Sequence, residues 1–154
     1  MRRVGSAPTA PAILFREEVS MKVHVLWYDY YEDSGIVGIY TEEGKKKKIE
    51  ELQQESIGYC KEWGEEYEKT LIKKKEERTI HLKKVNQAIE ACKSSPENKS
   101  FRQLKRSLIK EDESLLKNIH FLQRKVDEHF LPEKTLEVYM RDKHYEWLES
   151  EVIE

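Results

Sequence analysis

Two long segments with apolar residues at heptad-like spacing, separated by a proline, constrain the fold of this chain most strongly. Apolar residues recur at intervals of mostly three or four between positions 60 and 92, and again between positions 101 and 130. This spacing predicts amphipathic helices that each bury one stripe. The two stripes mirror each other about Pro96, so we expect a long antiparallel helical hairpin at about residues 59–131.

Short segments on both sides of this hairpin are typical of β-strands. Residues 22–31 and 36–40 are rich in β-branched and aromatic side chains. A turn cluster at residues 32–35 separates them, and we expect any positive φ of this turn at Gly35. Residues 135–141 alternate apolar and polar side chains, which predicts a third strand. Residues 145–148 suit either a further strand or a short helix. The expected fold class is α+β: a short antiparallel β-sheet of about three strands, with the helical hairpin inserted before the last strand.

Two local signals place the first helix and the sheet faces. Thr41 precedes two glutamates, and this order predicts a capped helix start directly after the second strand. Gly58 predicts a bend near residues 56–59, because glycine destabilises a helix interior by about 1 kcal/mol. Both faces of the first strand carry apolar and aromatic residues. One face must therefore cover a core, and the other is free for another contact.

We expect residues 21–154 to form one domain, with residues 1–20 as a disordered extension or an upstream start. Charged residues make up 38% of the chain, which fits solvated helices better than a large globular core. The longest apolar run is far below the roughly 18 residues of a membrane span. A net charge of −2 does not favour non-specific binding of nucleic acid. Cys60 and Cys92 lack metal-ligand spacing and indicate free thiols, so we expect a cytoplasmic protein with no membrane contact.

Motifs for catalysis are absent from the sequence. It contains no phosphate-binding glycine loop, no dinucleotide fingerprint, no nucleophile elbow and no HExxH zinc motif. The five histidines are scattered, and His81 is expected to face Asp112 across the hairpin as a polar pair. We therefore expect a protein without enzymatic activity, cofactor or metal.

Aromatic residues on or beside the predicted sheet are candidates for stacking on the ring of a ligand. The candidates are Tyr28, Tyr30, Tyr40 and Tyr139. Arg141 is expected on the same strand face as Tyr139 and is a candidate, with the arginines described next, for holding phosphate. The alternative is that these tyrosines are ordinary strand residues, buried in the core or in an oligomer interface.

Basic residues near the tip of the hairpin are candidates for binding phosphate. Arg102 and Arg106 are four positions apart on the predicted return helix, so both reach one side of it. Arginine binds phosphate oxygens with two hydrogen bonds, and a helix N-terminus adds partial positive charge. The alternative is a solvated helix face whose charge is balanced by Glu97, Glu111 and Asp112.

The opening MKVHVLWYDYYED, followed by GIVGIYTEEGKKKKIEEL, resembles a group of small uncharacterised phage and bacterial proteins. Those proteins begin with an MKVxVLW strand, continue with a strand that reads G-V-Y or G-I-Y and a helix, and finish with a short strand. The resemblance covers residues 21–55 and about 134–148. Residues 57–131 depart from it as a helical insertion.

The combination of a small sheet, a helical hairpin and expected oligomerisation is also similar to the Thoeris anti-defence type 1 sponge family. That similarity implies binding of a cyclic ADP-ribose isomer, without cleavage, at a dimer interface that contains aromatic and arginine residues. No binding residue is transferred from that family to this chain, and the candidate residues given above come from the sequence pattern alone.

These observations lead to two functional hypotheses. In the first, a phage-encoded homo-oligomer in the host cytoplasm sequesters a nucleotide immune signal without cleaving it. In the second, the chain is a protein-interaction module that binds and inhibits a host protein through its hairpin or an aromatic sheet face. A thin helical arm has little stability alone, so its ends must pack on the sheet or on another copy of the chain, and we expect a homo-oligomer, most simply a symmetric dimer.

Overall fold

The computed structural model describes residues 21–152, and the expectation for residues 1–20 lies outside them. Three strands and three α-helices follow one another as β1, β2, α1, α2, α3 and β3, with a 3-10 helix at Pro132–Lys134 between α2 and α3. Their bounds are β1 Met21–Tyr30, β2 Asp33–Tyr40, α1 Glu42–Ser94, α2 Lys99–His129, α3 Thr135–Lys143 and β3 Tyr145–Val152.

The three strands form one antiparallel sheet in the order β2-β1-β3. Val25 of β1 lies opposite Ile39 of β2 on one side and opposite Leu148 of β3 on the other. Helices α1 and α2 form the antiparallel hairpin, and β3 follows them. The expected α+β fold, with the hairpin inserted before the last strand, is confirmed.

The prediction that residues 135–141 form the third strand is wrong. They lie in α3, where Thr135, Val138 and Tyr139 are buried at helical spacing. Alternation of Leu136, Val138 and Met140 suggested a period of two, but the buried set follows a period of 3.6. Residues 145–148 begin β3, so the strand alternative for that segment is the right one.

The turn between β1 and β2 also differs from the expectation. It is formed by Tyr31 and Glu32, and the residue with positive φ is Tyr31, at 54°, while no glycine has a positive φ among the described residues. Positive φ is unusual for a bulky side chain and strains the backbone. Opposite Leu26 and Trp27, a β-bulge at Val37 shifts the register of β2.

Contacts along the chain define two compact units. The described part of the first, the sheet unit, comprises residues 21–56 and 136–152, and the second, the hairpin unit, comprises residues 57–135. The core of the sheet unit combines Leu26 of β1, Leu52 of α1 and Val138 of α3, which are at most 2% exposed. The face of the sheet that carries the even-numbered residues of β1 is therefore covered.

In the hairpin unit, the core contains Leu71 of α1 and three residues of α2, with Tyr67 packed against them. The three are Ile119, Leu122 and Val126. Asn98 caps α2, because its side-chain oxygen accepts a hydrogen bond from the backbone N–H of Phe101 at 3.2 Å. The core shared by residues of α1 and α2 confirms that the apolar stripes of the two helices meet in a hairpin.

Helix α1 starts as expected, with the Thr41 hydroxyl oxygen accepting a hydrogen bond from the Gly44 N–H at 3.1 Å. It then continues to Ser94 without the interruption expected near Gly58. Gly58 is exposed, and Gly64 is buried against Phe130 and His129. Tertiary packing on both sides of Gly58 outweighs the modest preference of glycine against helix.

These two glycines form a matched pair for a stability test. A Cβ at Gly58 would meet no atom within 4 Å, whereas one at Gly64 would lie 3.0 Å from the Phe130 ring. We expect Gly58→Ala to raise the free energy of unfolding by about 0.5–1 kcal/mol. Gly64→Ala should gain less or lose stability, because Phe130 must move. Urea unfolding of both variants checks this, and equal gains would contradict the close packing at Gly64.

Candidate functional site

The second face of the sheet is apolar and largely exposed. Because the bulge at Val37 realigns β2, the side chains of Ile36 and Ile39 both lie on the side of the odd-numbered β1 residues. Ile36 is 63% exposed, Ile39 62% and Leu148 49%. We call this surface the open face, and it comprises Val23, Val25 and Trp27 of β1, Ile36 and Ile39 of β2, and Leu148 of β3.

Charge on the open face is confined to one end and is negative. Asp29 lies opposite Ser34, and Glu146 lies opposite Trp27, at the end of the sheet near the β1–β2 turn. Glu32 of that turn and Asp33, the first residue of β2, are exposed at the same end of the sheet. We call Asp29, Glu32, Asp33 and Glu146 the acidic end.

A shallow depression lies at this end of the sheet unit. Its volume is about 280 Å³, and it is lined by Asp29, Met140, Arg141, His144, Tyr145 and Glu146. The Asp29 N–H donates a hydrogen bond to the His144 carbonyl at 3.1 Å, which joins β1 to the turn before β3. Arg141 pairs with Asp142 at 3.2 Å, so the acid beside it partly offsets its charge.

Two strained residues lie next to the depression. His144 has a φ of 59° and Tyr31 a φ of 54°. The exposed ring of Tyr30 lies between them, with centroids 4.6 Å from the Tyr31 ring and 4.7 Å from the His144 ring. Backbone strain of this kind accumulates at functional sites more often than elsewhere, and it makes this corner a second candidate site.

The four predicted tyrosines are not brought together as one stacking surface. Tyr30 is exposed, and Tyr28 lies nearby with its hydroxyl donating to Asp33 at 3.3 Å. The negative charge of Asp33 raises the pKa of Tyr28 above its usual value. Tyr40 packs edge-on against Trp147, with ring centroids 5.7 Å apart. Tyr40 is therefore engaged in ring packing within the sheet unit.

Tyr139 and Arg141 do not share a strand face, because both are on α3. Tyr139 is buried, and its hydroxyl donates to the Glu55 carboxylate at 2.9 Å. Burial, and then the bond to Glu55, raises the pKa of Tyr139 to about 12. Arg141 is exposed. On a helix, positions two apart point about 200° from each other, which explains the separation.

The arginines predicted to bind phosphate fall in different units. Arg102 and Arg106 are exposed on the first turns of α2 in the hairpin unit, whereas Arg141 belongs to the sheet unit. The Arg102 guanidinium donates to the Pro96 carbonyl at 3.3 Å, so it helps to close the hairpin tip. Arg106 lines an open surface of α2 together with Ile109, Lys110 and Glu113.

A polar layer in the middle of the hairpin differs in detail from the expected His81–Asp112 pair. Asp112 accepts two hydrogen bonds from Arg78, at 2.9 and 3.2 Å, and this guanidinium lowers the pKa of Asp112. His81 instead lies 2.7 Å from the Leu108 carbonyl and 3.8 Å from Glu111. The planar guanidinium matches a carboxylate better than an imidazole does, and Arg78 therefore takes Asp112.

An aromatic cluster near the open end of the hairpin was not predicted as a group. Tyr59, Trp63 and Tyr67 are four positions apart on α1, and the rings of Tyr59 and Tyr67 contact the buried His129 ring. The His129 Nδ1 lies 2.7 Å from the Lys125 carbonyl. The sequence signal for this cluster is the spacing of four between its aromatic residues, which places their side chains on one face of a helix. Tyr67 packs against the hairpin core, whereas Trp63 is 46% exposed.

Searches of protein-family models, curated proteins and solved structures found no match to this chain. Within residues 21–152, no helix has the length and apolar content needed to cross a membrane, and no group of His, Cys, Asp or Glu is placed to hold a metal ion. The function is therefore inferred from the side chains described above.

The Tyr139–Glu55 bond gives a pH-dependent prediction. An unfolded tyrosine has a pKa near 10, so a folded value of about 12 stabilises the fold below pH 10 and this stabilisation is lost as pH rises toward 12. Tyr139→Phe should lower the free energy of unfolding by about 1 kcal/mol at pH 7. The deficit should shrink by pH 11. Urea unfolding at both pH values tests this, and a deficit that is unchanged with pH would contradict it.

Proposed function

We propose that this chain is a non-catalytic protein-binding module whose contact surface is the open face of its sheet. The observation that carries the proposal is a sheet covered on one side by its own helices and left apolar and exposed on the other. Apolar side chains that are exposed together on one face, unlike those scattered singly over a surface, often mark an interaction site. Ile36, Ile39 and Leu148 would be its most exposed contact residues.

The shape of the open face favours a protein over a small molecule. A small-molecule site needs a concavity that surrounds most of its ligand. The open face is one side of a three-stranded sheet, and its predicted stacking tyrosines are absent from it, since Tyr28 and Tyr40 lie opposite Gly35 and His24 on the other side. A flat apolar patch with a charged border is the usual arrangement of a protein interface.

The charges around the open face indicate what kind of protein it would bind. The acidic end contributes negative charge at one border, and no strand position on the described open face carries a basic side chain. The complementary surface is an apolar patch bordered by lysine or arginine.

Three paired strands with about five residues each give a face of roughly 250 Å². This is below the roughly 800 Å² that each side of a stable complex buries, so the partner must also contact the acidic end.

A pair of charge substitutions tests this proposal. Leu148→Glu places a charge in the open face, whereas Ile72→Glu places the same charge at an isoleucine of the hairpin unit that is 54% exposed. Proteins captured by the wild-type chain and by both variants would be quantified by mass spectrometry. We expect at least one partner that wild type and Ile72→Glu retain and that Leu148→Glu loses by tenfold or more. If no captured protein depends on Leu148, the proposal fails.

Sequestration of a nucleotide immune signal is the second candidate, and the depression near Arg141 favours it. The exposed ring of Tyr30 contacts His144, which lines the depression together with Arg141, and two strained residues mark the same corner. The anti-defence role in the host cytoplasm, with a cyclic ADP-ribose isomer held by a homo-oligomer, belongs to this candidate. It ranks second because the depression, at about 280 Å³, is small for a dinucleotide-sized ligand and is lined by Asp29 and Glu146.

Thermal unfolding against a nucleotide panel tests the second candidate. A ligand at 100 times its Kd stabilises a fold by about 2.7 kcal/mol, which gives a clear shift in Tm. Arg141→Ala should abolish the shift if the depression holds the phosphates, whereas the double variant Arg102→Ala and Arg106→Ala should abolish it if the hairpin tip does. Recovery of the compound intact establishes sequestration. The absence of a shift across cyclic dinucleotides and cyclic ADP-ribose isomers removes this candidate.

A further inference from the structure

The two edges of the sheet differ in charge. Strand β3 forms one edge and carries Glu146, Glu149 and Glu151, of which Glu149 pairs with Lys22 at 3.2 Å. Strand β2 forms the other edge, and after Asp33 it reads SGIVGIY with no charged residue. Natural edge strands usually carry lysine, proline or another charge that prevents pairing with a further strand. β2 has no lysine or proline and is charged only at its first position, so the bulge at Val37 is the one such protective feature along it.

We infer that β2 pairs antiparallel with β2 of a second copy of this chain, so that two sheets join into one of six strands. This goes beyond the proposed function and does not need it, because the pairing involves the edge of β2 and not the partner of the open face. Backbone N–H and C=O groups on the outer side of β2 would be satisfied by the same groups of the second copy.

Charge and symmetry both favour a second copy at this edge. The acidic β3 edge would repel another β3, and pairing of β2 with β3 would propagate from copy to copy without closing. Pairing of β2 with itself closes as a two-fold dimer and brings no like charges together along residues 34–40. The uncharged edge is thus complementary to itself.

The bulge also defines a register for this dimer. Ile36 and Ile39 both lie on the open face, because Val37 is the additional residue between them. If Ile36 of one copy lies opposite Ile39 of the other, two isoleucine pairs form on one face, and Val37 lies opposite Gly38. The β-branched pairs stabilise the joined edge.

Joining the two sheets also changes the open face. The two open faces become continuous across the dimer axis and together cover roughly 500 Å² by the same strand geometry. A contiguous apolar patch of about 300–600 Å² is the size that is often functional on soluble proteins. The dimer therefore presents a larger binding surface than one copy does.

Analytical ultracentrifugation of the full chain tests the inference, with charge substitutions at the two isoleucines. Wild type should dimerise, and either Ile36→Lys or Ile39→Glu alone should raise the dimer Kd by tenfold or more. The double variant should recover dimerisation, because each introduced lysine then faces a glutamate of the other copy. Leu148→Glu, on the open face but on β3, should dimerise as wild type does.

Three results would overturn the inference. They are a wild-type chain that stays monomeric at high micromolar concentration, single variants that dimerise like wild type, and a double variant that recovers nothing. Circular dichroism of each variant establishes that its fold is intact before the dimer Kd is compared. Loss of dimerisation with Leu148→Glu as well would instead place the contact on the open face, against the proposed edge.

Discussion

Strand β1 is the constraint on which the rest of the structure depends, because it is the central strand and pairs with two segments from opposite ends of the described chain. β2 follows it after a two-residue turn, but β3 returns only after the whole hairpin. The entropy cost of closing such a loop grows slowly with its length. An antiparallel hairpin also begins and ends at the same place. A long helical insertion can therefore be accommodated between β2 and β3 without loss of the sheet.

The same pairing makes one face of the sheet available for binding. The short helix α3 supplies Val138 and Tyr139 to the covered face, next to Leu26 and Leu52, so the core is complete on that side. The other face receives Val25, Ile39 and Leu148 in adjacent registers and is left without a covering element from the sheet unit. Within residues 21–152 the helices of the sheet unit lie on one side of the sheet only, and the exposed apolar surface follows from that.

Most of the architecture could be predicted from periodicity and capping residues. Thr41 marked the helix start, Pro96 marked the break between the helices, and aromatic and β-branched residues marked β1 and β2. The third strand was misplaced because apolar and polar residue types alternate along residues 135–141, as they do in a strand. The phenol of Tyr139, assigned to a ligand face, is in fact part of the core. Only the three-dimensional position of Glu55, which accepts its hydroxyl bond, reveals that.

The candidate site was harder to predict, because it depends on features that leave little trace in residue type. The bulge at Val37 puts Ile36 and Ile39 on the same face, and simple alternation would have separated them. Tyr31 has the positive φ that was expected at Gly35, and His144 has a positive φ where no turn was expected. Arg102, Arg106 and Arg141 are far apart in sequence, and their division between two units could not be read from spacing alone.

Solvent accessibility of methyl groups, measured by NMR with a soluble paramagnetic agent, tests the central claim that the open face is uncovered in the full chain. The methyl signals of Ile39 and Leu148 should broaden strongly, while those of Leu26 and Val138 should not change. Strong protection of Ile39 and Leu148, equal to that of Leu26, would contradict the account, because it would mean that the chain itself covers this face.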